Sequence, residues 1–458
     1  MDLIAPFSKH VVWPIIARRE GSTHLRILAE LEESQFFSPE QIEQMRLERL
    51  KKLLSHAQRN CPFYAKQFSE CGFDASELTS LEDIRKLPIL RKIDIQNHMD
   101  AMRATNYPDK DLTPNQTGGS TGAPLKFFLD RRRLFSRRAA TIRHDRWAGL
   151  DIGQKVGILW GAPMDFPDRQ SISVKLRSAL AERRLMLDAN GITREKLADF
   201  SAQLNRFRPP VYQAYANTMY LFARYLKETK VRGYHRPRSV ITSAEFLTDV
   251  QRALIEEVFE CKVYNRYGCR ETSIIASECS EHSGLHVSAE SLYLEFIRGE
   301  RSSEPGELGR IVVTDLLNFG MPLIRYEIGD TGVPVADQCS CGRGLPLMQM
   351  QGGRVTDFLV TPLGKVVSGV SLATYFITSI TGVSQAQLIQ KEKDSIRIRL
   401  VCTEEFDSKC RQEIFDKLKE FFETDIECEL ELVESIPVEP SGKQRFSISE
   451  LDPLEYLI

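Results

Sequence analysis

A chain of 458 residues leaves room for two to four domains and a sizeable core. Apolar residues make up 42% and charged residues 27%, which is the balance of a soluble globular protein and not of a disordered or fibrous one. A formal net charge of −2 removes any bulk electrostatic case for nucleic acid, and ten cysteines over this length do not make a secreted disulfide scaffold. The cysteines read as cytosolic thiols, some of them candidate metal ligands, and the chain is expected in the cytoplasm.

Residues 1–19 hold an apolar run at 11–16 that Pro14 interrupts. It lacks a basic leader and is too short to span a membrane, which leaves peripheral membrane contact through residues 1–16 as a minor reading. Ser38, Pro39, Glu40 and Gln41 predict a helix start: a serine cap, a proline at the first helical position and a glutamine to close a capping box. Ile42, Met45, Leu50, Leu53, Leu54 and Ala57 then recur at helical spacing until Pro62. Thr79 and Ser80 start a second short helix with Leu81, Ile84 and Leu87 inward, which ends before Pro88.

The next stretch is Thr117, Gly118, Gly119, Ser120, Thr121 and Gly122, with Pro124 soon after. Glycines let backbone N–H groups approach a ligand, and successive N–H groups in such a turn form a concavity for an anion. The hydroxyls of Thr117, Ser120 and Thr121 add donors for phosphate oxygens. A polar surface turn is the competing reading. The stretch is not a Walker A loop, because no Gly-Lys-Ser/Thr closes it. The arginine-rich residues 131–146 predict a helix with a solvated basic face and Leu134, Phe135, Ala139, Ile142 and Trp147 inward, not a nucleic-acid groove.

From about residue 150 short apolar runs at 156–159, 211–215, 240–242 and 262–264 alternate with helical stretches at 194–207, 218–228 and 247–259. That alternation predicts βα units and a mainly parallel sheet. Residues 292–297 and 310–314 alternate like antiparallel strands. Beyond a Gly/Pro-rich zone that ends near Gly353, a strand at 396–401, an amphipathic helix at 406–422 and a strand at 426–433 predict a small α+β domain. The expected division is 1–353 and 354–458.

Several motifs gain meaning from their order. Tyr267-Gly268-Cys269-Arg270-Glu271 follows a strand, and would set a ring and a carboxylate at the carboxyl edge of the sheet, where open α/β sheets bind ligands. Arg325 and Asp330 lie in a Gly-Asp turn region after another apolar strand. Arg354 and Asp357 stand at the boundary, and Lys443 sits on a Ser-Gly-Lys turn from which it could swing to a phosphate. Cys279, His282, His286, Cys339 and Cys341 offer thiolates and imidazoles suited to tetrahedral zinc, though Cys-x-Cys pairs also occur without metal.

This ordered set resembles the adenylate-forming superfamily, and within it the phenylacetate–CoA ligase family, in the branch found in capsular-polysaccharide gene clusters. The resemblance begins at 57–64 ("AQRNCPFY") and 80–88 ("SLEDIRKLP") and runs nearly end to end through to 441–445. It implies an α/β fold: a large N-terminal adenylate-forming domain of mixed sheets flanked by helices, plus a small mobile C-terminal α+β domain. It implies attack of a carboxylic acid on ATP to give an acyl-adenylate, then displacement of AMP by coenzyme A. A carrier protein, an amine or a sugar amine is the alternative acceptor, and a non-catalytic nucleotide-binding scaffold is the alternative of another class.

By the same resemblance the 117–122 loop would wrap the phosphates, Glu271 would bind Mg²⁺, Tyr267 and Gly268 would lie by the adenine, and Asp330, with Arg325 nearby, would hold the ribose. Lys443 would reach the acyl carboxylate and α-phosphate, and Arg354 and Asp357 would mark the hinge. Ser243, Ala244 and Glu245 would form the adenine turn, with alanine where relatives carry glycine. Trp160, Tyr212, Tyr215 and Phe246 would line a pocket for an aromatic or flat apolar acid. The family branch implies a structural Zn²⁺ on Cys279, His286, Cys339 and Cys341, with His286 preferred to His282. It also points to a homodimer.

Overall fold

The architecture follows from where apolar residues fall and where caps stop them. It is a computed structural model that describes residues 2–117, 125–160, 177–188, 194–354, 358–364, 366–437 and 445–451. The N-terminal third is mostly helical: α1 (Ile4–Phe7), a π turn (Ser8–Val12), α2 (Trp13–Arg19), α3 (His24–Ser34), α4 (Pro39–Asn60), α5 (Pro62–Glu70) and α6 (Lys92–Met102). The capping box at α4 is formed: Ser38 accepts from the Gln41 N–H, and the Gln41 side chain accepts from the Ser38 N–H. The short helix expected at Thr79–Ser80 is a 3₁₀ turn, Leu81–Lys86, with Leu81 and Ile84 buried.

Strands β1 (Leu112–Gln116) and β2 (Lys126–Asp130) pair antiparallel on their own and lead into α7 (Arg131–Trp147). Then come β3 (Val156–Trp160), β4 (Arg184–Asp188), α8 (Arg194–Phe207), β5 (Val211–Tyr215), α9 (Ala216–Glu228), β6 (Ser239–Ser243), α10 (Asp249–Phe259), β7 (Lys262–Cys269), β8 (Ser273–Glu278), β9 (Leu285–Val287), β10 (Leu292–Arg298), β11 (Arg301–Ser302), β12 (Gly309–Asp315), β13 (Tyr326–Val335) and β14 (Leu347–Arg354). Twelve of these form one sheet in the order β11-β10-β12-β13-β14-β9-β8-β7-β6-β5-β3-β4. The half from β7 to β4 is parallel, as the βα alternation requires. The other half is antiparallel, including the expected β10–β12 pair. Within it the β14–β9 pairing is short: the two strands match only at Leu347–His286 and Met348–Leu285.

The C-terminal part adds β15 (Phe358–Val360), β16 (Val366–Ser368), α11 (Gly369–Ser379), β17 (Val383–Glu392), β18 (Ser395–Cys402), α12 (Ser408–Phe422), β19 (Glu427–Leu432) and β20 (Ser447–Ser449). Its sheet runs β19-β18-β17-β20, and it has its own core around Phe376, Leu388, Ile398, Ile414 and Phe422. Among the described residues no helix is long and apolar enough to cross a membrane.

Arg131 and Arg132 of α7 are exposed as expected, but other arginines depart from the solvated face. Arg133 and Arg143 are fully buried. Arg133 pairs with Asp315 at 2.6 Å, and Arg143 pairs with Glu290. The buried acids lie far away in sequence, so charge that looks superficial in one segment is neutralised inside the fold.

Candidate functional site

Strand β7 changes partner midway. Residues up to Arg266 run parallel to β6, and from Arg266 to Cys269 the strand runs antiparallel to β8. Tyr267, Gly268 and Cys269 therefore occupy the carboxyl edge of the parallel half, where the two halves of the sheet diverge. Gly268 is required there by close approach: an added Cβ would lie 2.4 Å from the Ser273 carbonyl oxygen. Tyr267 is buried, and its hydroxyl donates to Asp330 Oδ2 at 2.8 Å. Glu271, two residues beyond the strand, is buried and accepts a hydrogen bond from the Tyr326 hydroxyl at 2.9 Å. Tyr326 and Asp330 both lie on β13, so a single strand fixes both partners.

The turn that carries Glu271 is braced from α7. Arg133 Nη2 donates to the Thr272 carbonyl at 2.7 Å, and Arg137 Nη2 donates to the Arg270 carbonyl at 2.8 Å. Burial holds the Arg137 guanidinium below its ordinary pKa, to about 10, with neighbouring Arg133 adding to the effect. Arg354, at the end of β14, stands opposite Asp330 in the ladder. Thr117 is tied to Leu125 in both directions: Thr117 N–H donates to the Leu125 carbonyl, and Leu125 N–H donates to the Thr117 hydroxyl. Gly118, Gly119, Ser120, Thr121, Gly122, Asp357 and Lys443 lie outside the described residues.

Farther along the same edge Tyr215 is level with Ser243, and Ser243 with Arg266. Ala244 adopts φ +70°, the left-handed conformation that glycine favours, so the turn keeps its shape despite the alanine. Glu245 accepts from the Asn217 N–H at 2.8 Å, tying that turn to the start of α9. Trp160 and Tyr215 pack ring to ring, with centroids 4.4 Å apart.

Three expected site residues are elsewhere. Tyr212 is fully buried, packs on Phe259 and donates to the His235 carbonyl. It belongs to the core beneath α9 and α10, because an odd spacing from Tyr215 puts it on the other face of the strand. Phe246 packs against the C-terminal core and not beside Trp160. Arg325 makes a two-pronged ion pair with Glu295, at 2.9 and 3.0 Å, and donates to the Leu87 and Arg85 carbonyls. Its guanidinium fastens the 3₁₀ segment to the sheet and is not aimed at the Asp330 site.

The cysteine–histidine set does converge. Ligand atoms of Cys279, His286, Cys339 and Cys341 all lie within 4.8 Å of one another. Cys279 Sγ is 3.6 Å from Cys339 Sγ, and Cys341 Sγ is 3.4 Å from His286 Nε2. His282 stands outside this set and faces Glu278 at 3.2 Å. Burial raises the Cys279 thiol to about 12 and lowers His286 to about 4. Burial also opposes ionisation of Cys341, but hydrogen bonds from the Arg343 backbone and side chain outweigh it and hold that thiol below its ordinary value.

The family described as CapK C-terminal domain matches residues 359–450. Protein CapK of Staphylococcus aureus is 27% identical over 421 residues, covering 88% of each chain. Phenylacetate-coenzyme A ligase of Thermus thermophilus is 25% identical and covers 70% of this chain and 72% of its own. The chain is a homologue of CapK and of the phenylacetate–CoA ligases. A solved 2-hydroxyisobutyryl-CoA ligase in its postadenylation state superposes with a TM-score of 0.70 over 91% of both chains at 20% identity, so the fold is that of the adenylate-forming CoA ligases.

Within this homologue of the ligases, sequence reasoning passed over Tyr326, Arg133 and Arg137 as parts of the site. Tyr326 was inside a motif already singled out, but nothing local shows that its hydroxyl meets a carboxylate 55 residues earlier. The arginine density of α7 marked that helix, but nothing local shows which of its arginines turn inward.

Proposed function

We propose that the chain uses ATP to activate a carboxylic acid as an acyl-adenylate and then transfers the acyl group to the thiol of coenzyme A, releasing AMP. The observation that carries this reading is the pairing of Tyr267 with Asp330 and of Glu271 with Tyr326 side by side at the carboxyl edge of the sheet. In the first step a carboxylate oxygen attacks the α-phosphorus and pyrophosphate leaves. Two anions meet, so charge neutralisation governs the barrier. Asp330, held by Tyr267, would accept from the ribose hydroxyls. Glu271, one oxygen held by Tyr326, would bind Mg²⁺, which supplies charge neutralisation on the phosphates. The loop 117–122 would hold the β- and γ-phosphates, and Lys443 would reach the acyl carboxylate and α-phosphate. Rotation of 354–458 against 1–353 at Arg354 and Asp357 would then exchange Lys443 for the thiol. The Trp160–Tyr215 pair would present a flat apolar wall to the acid.

A different acceptor, a carrier-protein thiol or an amine, is the second reading. It is supported by the likeness to Protein CapK, which spans 88% of the chain where that to the Thermus thermophilus phenylacetate-coenzyme A ligase spans 70%. We also assign the Cys279, His286, Cys339 and Cys341 set to a structural Zn²⁺. Three thiols and an imidazole within one coordination radius suit that ion, with His286 using Nε2.

The test is carboxylate-dependent ATP–pyrophosphate exchange over a panel of aryl, short-chain and hydroxy acids, with Mg²⁺ and without coenzyme A. Exchange in the wild type and its loss in Lys443→Ala are expected. Exchange that survives in the variant would remove Lys443 from this role, and absence of both exchange and ATP binding would leave a non-catalytic scaffold.

A further inference from the structure

The first helical stretch turns an apolar face to solvent. Leu3, Ile4, Phe7, Val11 and Ile15 are all exposed, Leu3 at 76% and Phe7 at 52%. The other large apolar side chains that are exposed among the described residues, Phe36, Ile93, Val250, Leu363 and Leu432, stand singly in separate elements and turns. Half of this exposed apolar inventory is therefore concentrated in one stretch, which scattered surface residues do not produce. The spacing is regular: Leu3, Phe7, Val11 and Ile15 are four apart. A row spaced by four drifts about 40° per step around an α-helix. The π turn at Ser8–Val12, where Trp13 N–H bonds back to Ser8, takes up part of that drift. It also accommodates Pro14, which has no N–H to give.

The opposite face is fixed to the protein. Ser8 and Ala17 are buried, Trp13 Nε1 donates to the Ala181 carbonyl, and Lys9 pairs with Asp151. The stretch is thus held in place with its apolar side outward, and is not a loose tail that has yet to dock.

Charge decides what would cover it. The acids that bracket the helix are both engaged by cations of the protein: Asp2 pairs with Arg183, and Glu20 pairs with Arg138 and Arg177. Arg18 and Arg19 are exposed in the last turn, beyond Ile15, and neither forms an ion pair among the described residues. The outward face is apolar with a cationic end and no unpaired acid. Two copies packed antiparallel would bring Arg18 and Arg19 of one against Leu3 and Ile4 of the other and an Asp2 already neutralised by Arg183, with no free anion to meet them. An anionic bilayer supplies both an apolar boundary and negative headgroups.

We propose that residues 3–19 form an interfacial helix that seats the protein on an anionic lipid surface, with Leu3, Phe7, Val11 and Ile15 in the acyl boundary and Arg18 and Arg19 at the headgroups. This goes beyond the ligase reading and does not depend on it. The test is co-sedimentation of the full-length chain with vesicles of phosphatidylcholine, alone or with phosphatidylglycerol, at physiological salt. Wild type is expected to sediment with the anionic vesicles and far less with the neutral ones. The triple variant Phe7→Ser, Val11→Ser, Ile15→Ser is expected to lose at least about tenfold in partitioning, and Arg18→Glu with Arg19→Glu a similar factor. Thermal melts matching wild type would show both variants folded; Val11→Ser alone, the mildest change, gives a second reading of the same face. Wild type left in the supernatant with both lipids, or variants that sediment like wild type, would overturn the proposal. So would a concentration-dependent dimer that the triple variant abolishes, because the face would then belong to a second copy.

Discussion

The Tyr326 hydroxyl is kept protonated by its setting: burial, and next the charge of Glu271, raise its pKa far above the ordinary value. It therefore stays a donor to Glu271 throughout the neutral range. Removing the charge of Glu271 should cost far more than removing this one donor. Glu271→Gln is expected to slow pyrophosphate exchange by at least about a hundredfold if the proposed role holds, because Mg²⁺ would lose the anionic ligand assigned to it. Tyr326→Phe is expected to slow it by a factor between about ten and a hundred, since a hydrogen bond to a charged group is worth about 1.5–3 kcal/mol. A Tyr326→Phe enzyme with unchanged rate would mean that the turn holds Glu271 unaided. Ala244 makes a separate case. An alanine at φ +70° is strained by about 1–2 kcal/mol, part of which glycine returns as extra freedom in the unfolded chain. Ala244→Gly is expected to raise stability by up to about 1 kcal/mol in denaturant titration, and a lower stability would show that the methyl packs favourably there.

Helix α7 works at the scale of an element, because its arginines connect the sheet core to the turn that carries Glu271. Burial pushes the Asp315 carboxyl up, against the pull of Arg133. Arg133→Met is expected to cost about 3–5 kcal/mol, since it leaves Asp315 buried without a countercharge. Adding Asp315→Asn should recover most of that loss, because asparagine is neutral and still offers an oxygen to the Leu317 N–H. If urea unfolding shows the double variant no more stable than the single, the bridge to the Thr272 carbonyl matters more than the charge. The same helix marks the limit of what a sequence discloses. Strands β3, β5, β6 and β7 were legible because each is a short apolar run between helical stretches. The β1–β2 pair was not, since Leu112–Gln116 is polar after its first residue, and β4 was passed over because its run is only Leu185–Leu187, set between arginine and aspartate. Tyr212 and Tyr215 could have been separated in advance, because positions three apart on a strand face opposite sides. Arg133 and Arg143 could not, because their acids come from Asp315 and Glu290, and only the closed fold brings them in. Glu271, Asp330 and Tyr267 were visible through ordered motifs, and the geometry adds who holds whom.

At the scale of the whole molecule the weak join is where β14 meets β9, with two matched pairs inside the antiparallel part of the twelve-stranded sheet. The cysteine–histidine set lies on that join: His286 is on β9, Cys279 follows β8, and Cys339 and Cys341 precede β14. The surrounding groups tie it to the N-terminal helices. Trp147 packs edge-on to His286, Arg343 lies over Trp147, and both donate to Gln35 Oε1. A metal here would fasten a seam that few ladder bonds hold, and would link it to α3 and α7. The purified protein is therefore expected to carry one zinc per chain. A strong chelator under mild denaturant should remove it and lower stability by at least about 3 kcal/mol. Cys341→Ala should lose zinc in the same way, with the emission of Trp147 moving early in unfolding and that change absent in Trp147→Phe. Because Glu271 and Asp330 are held by Tyr326 and Tyr267 and not by the metal set, activity in native buffer should fall less than stability does. Protein free of zinc yet as stable as the holo form would mean that the thiols are packing groups and that β9 and β14 hold the seam unaided.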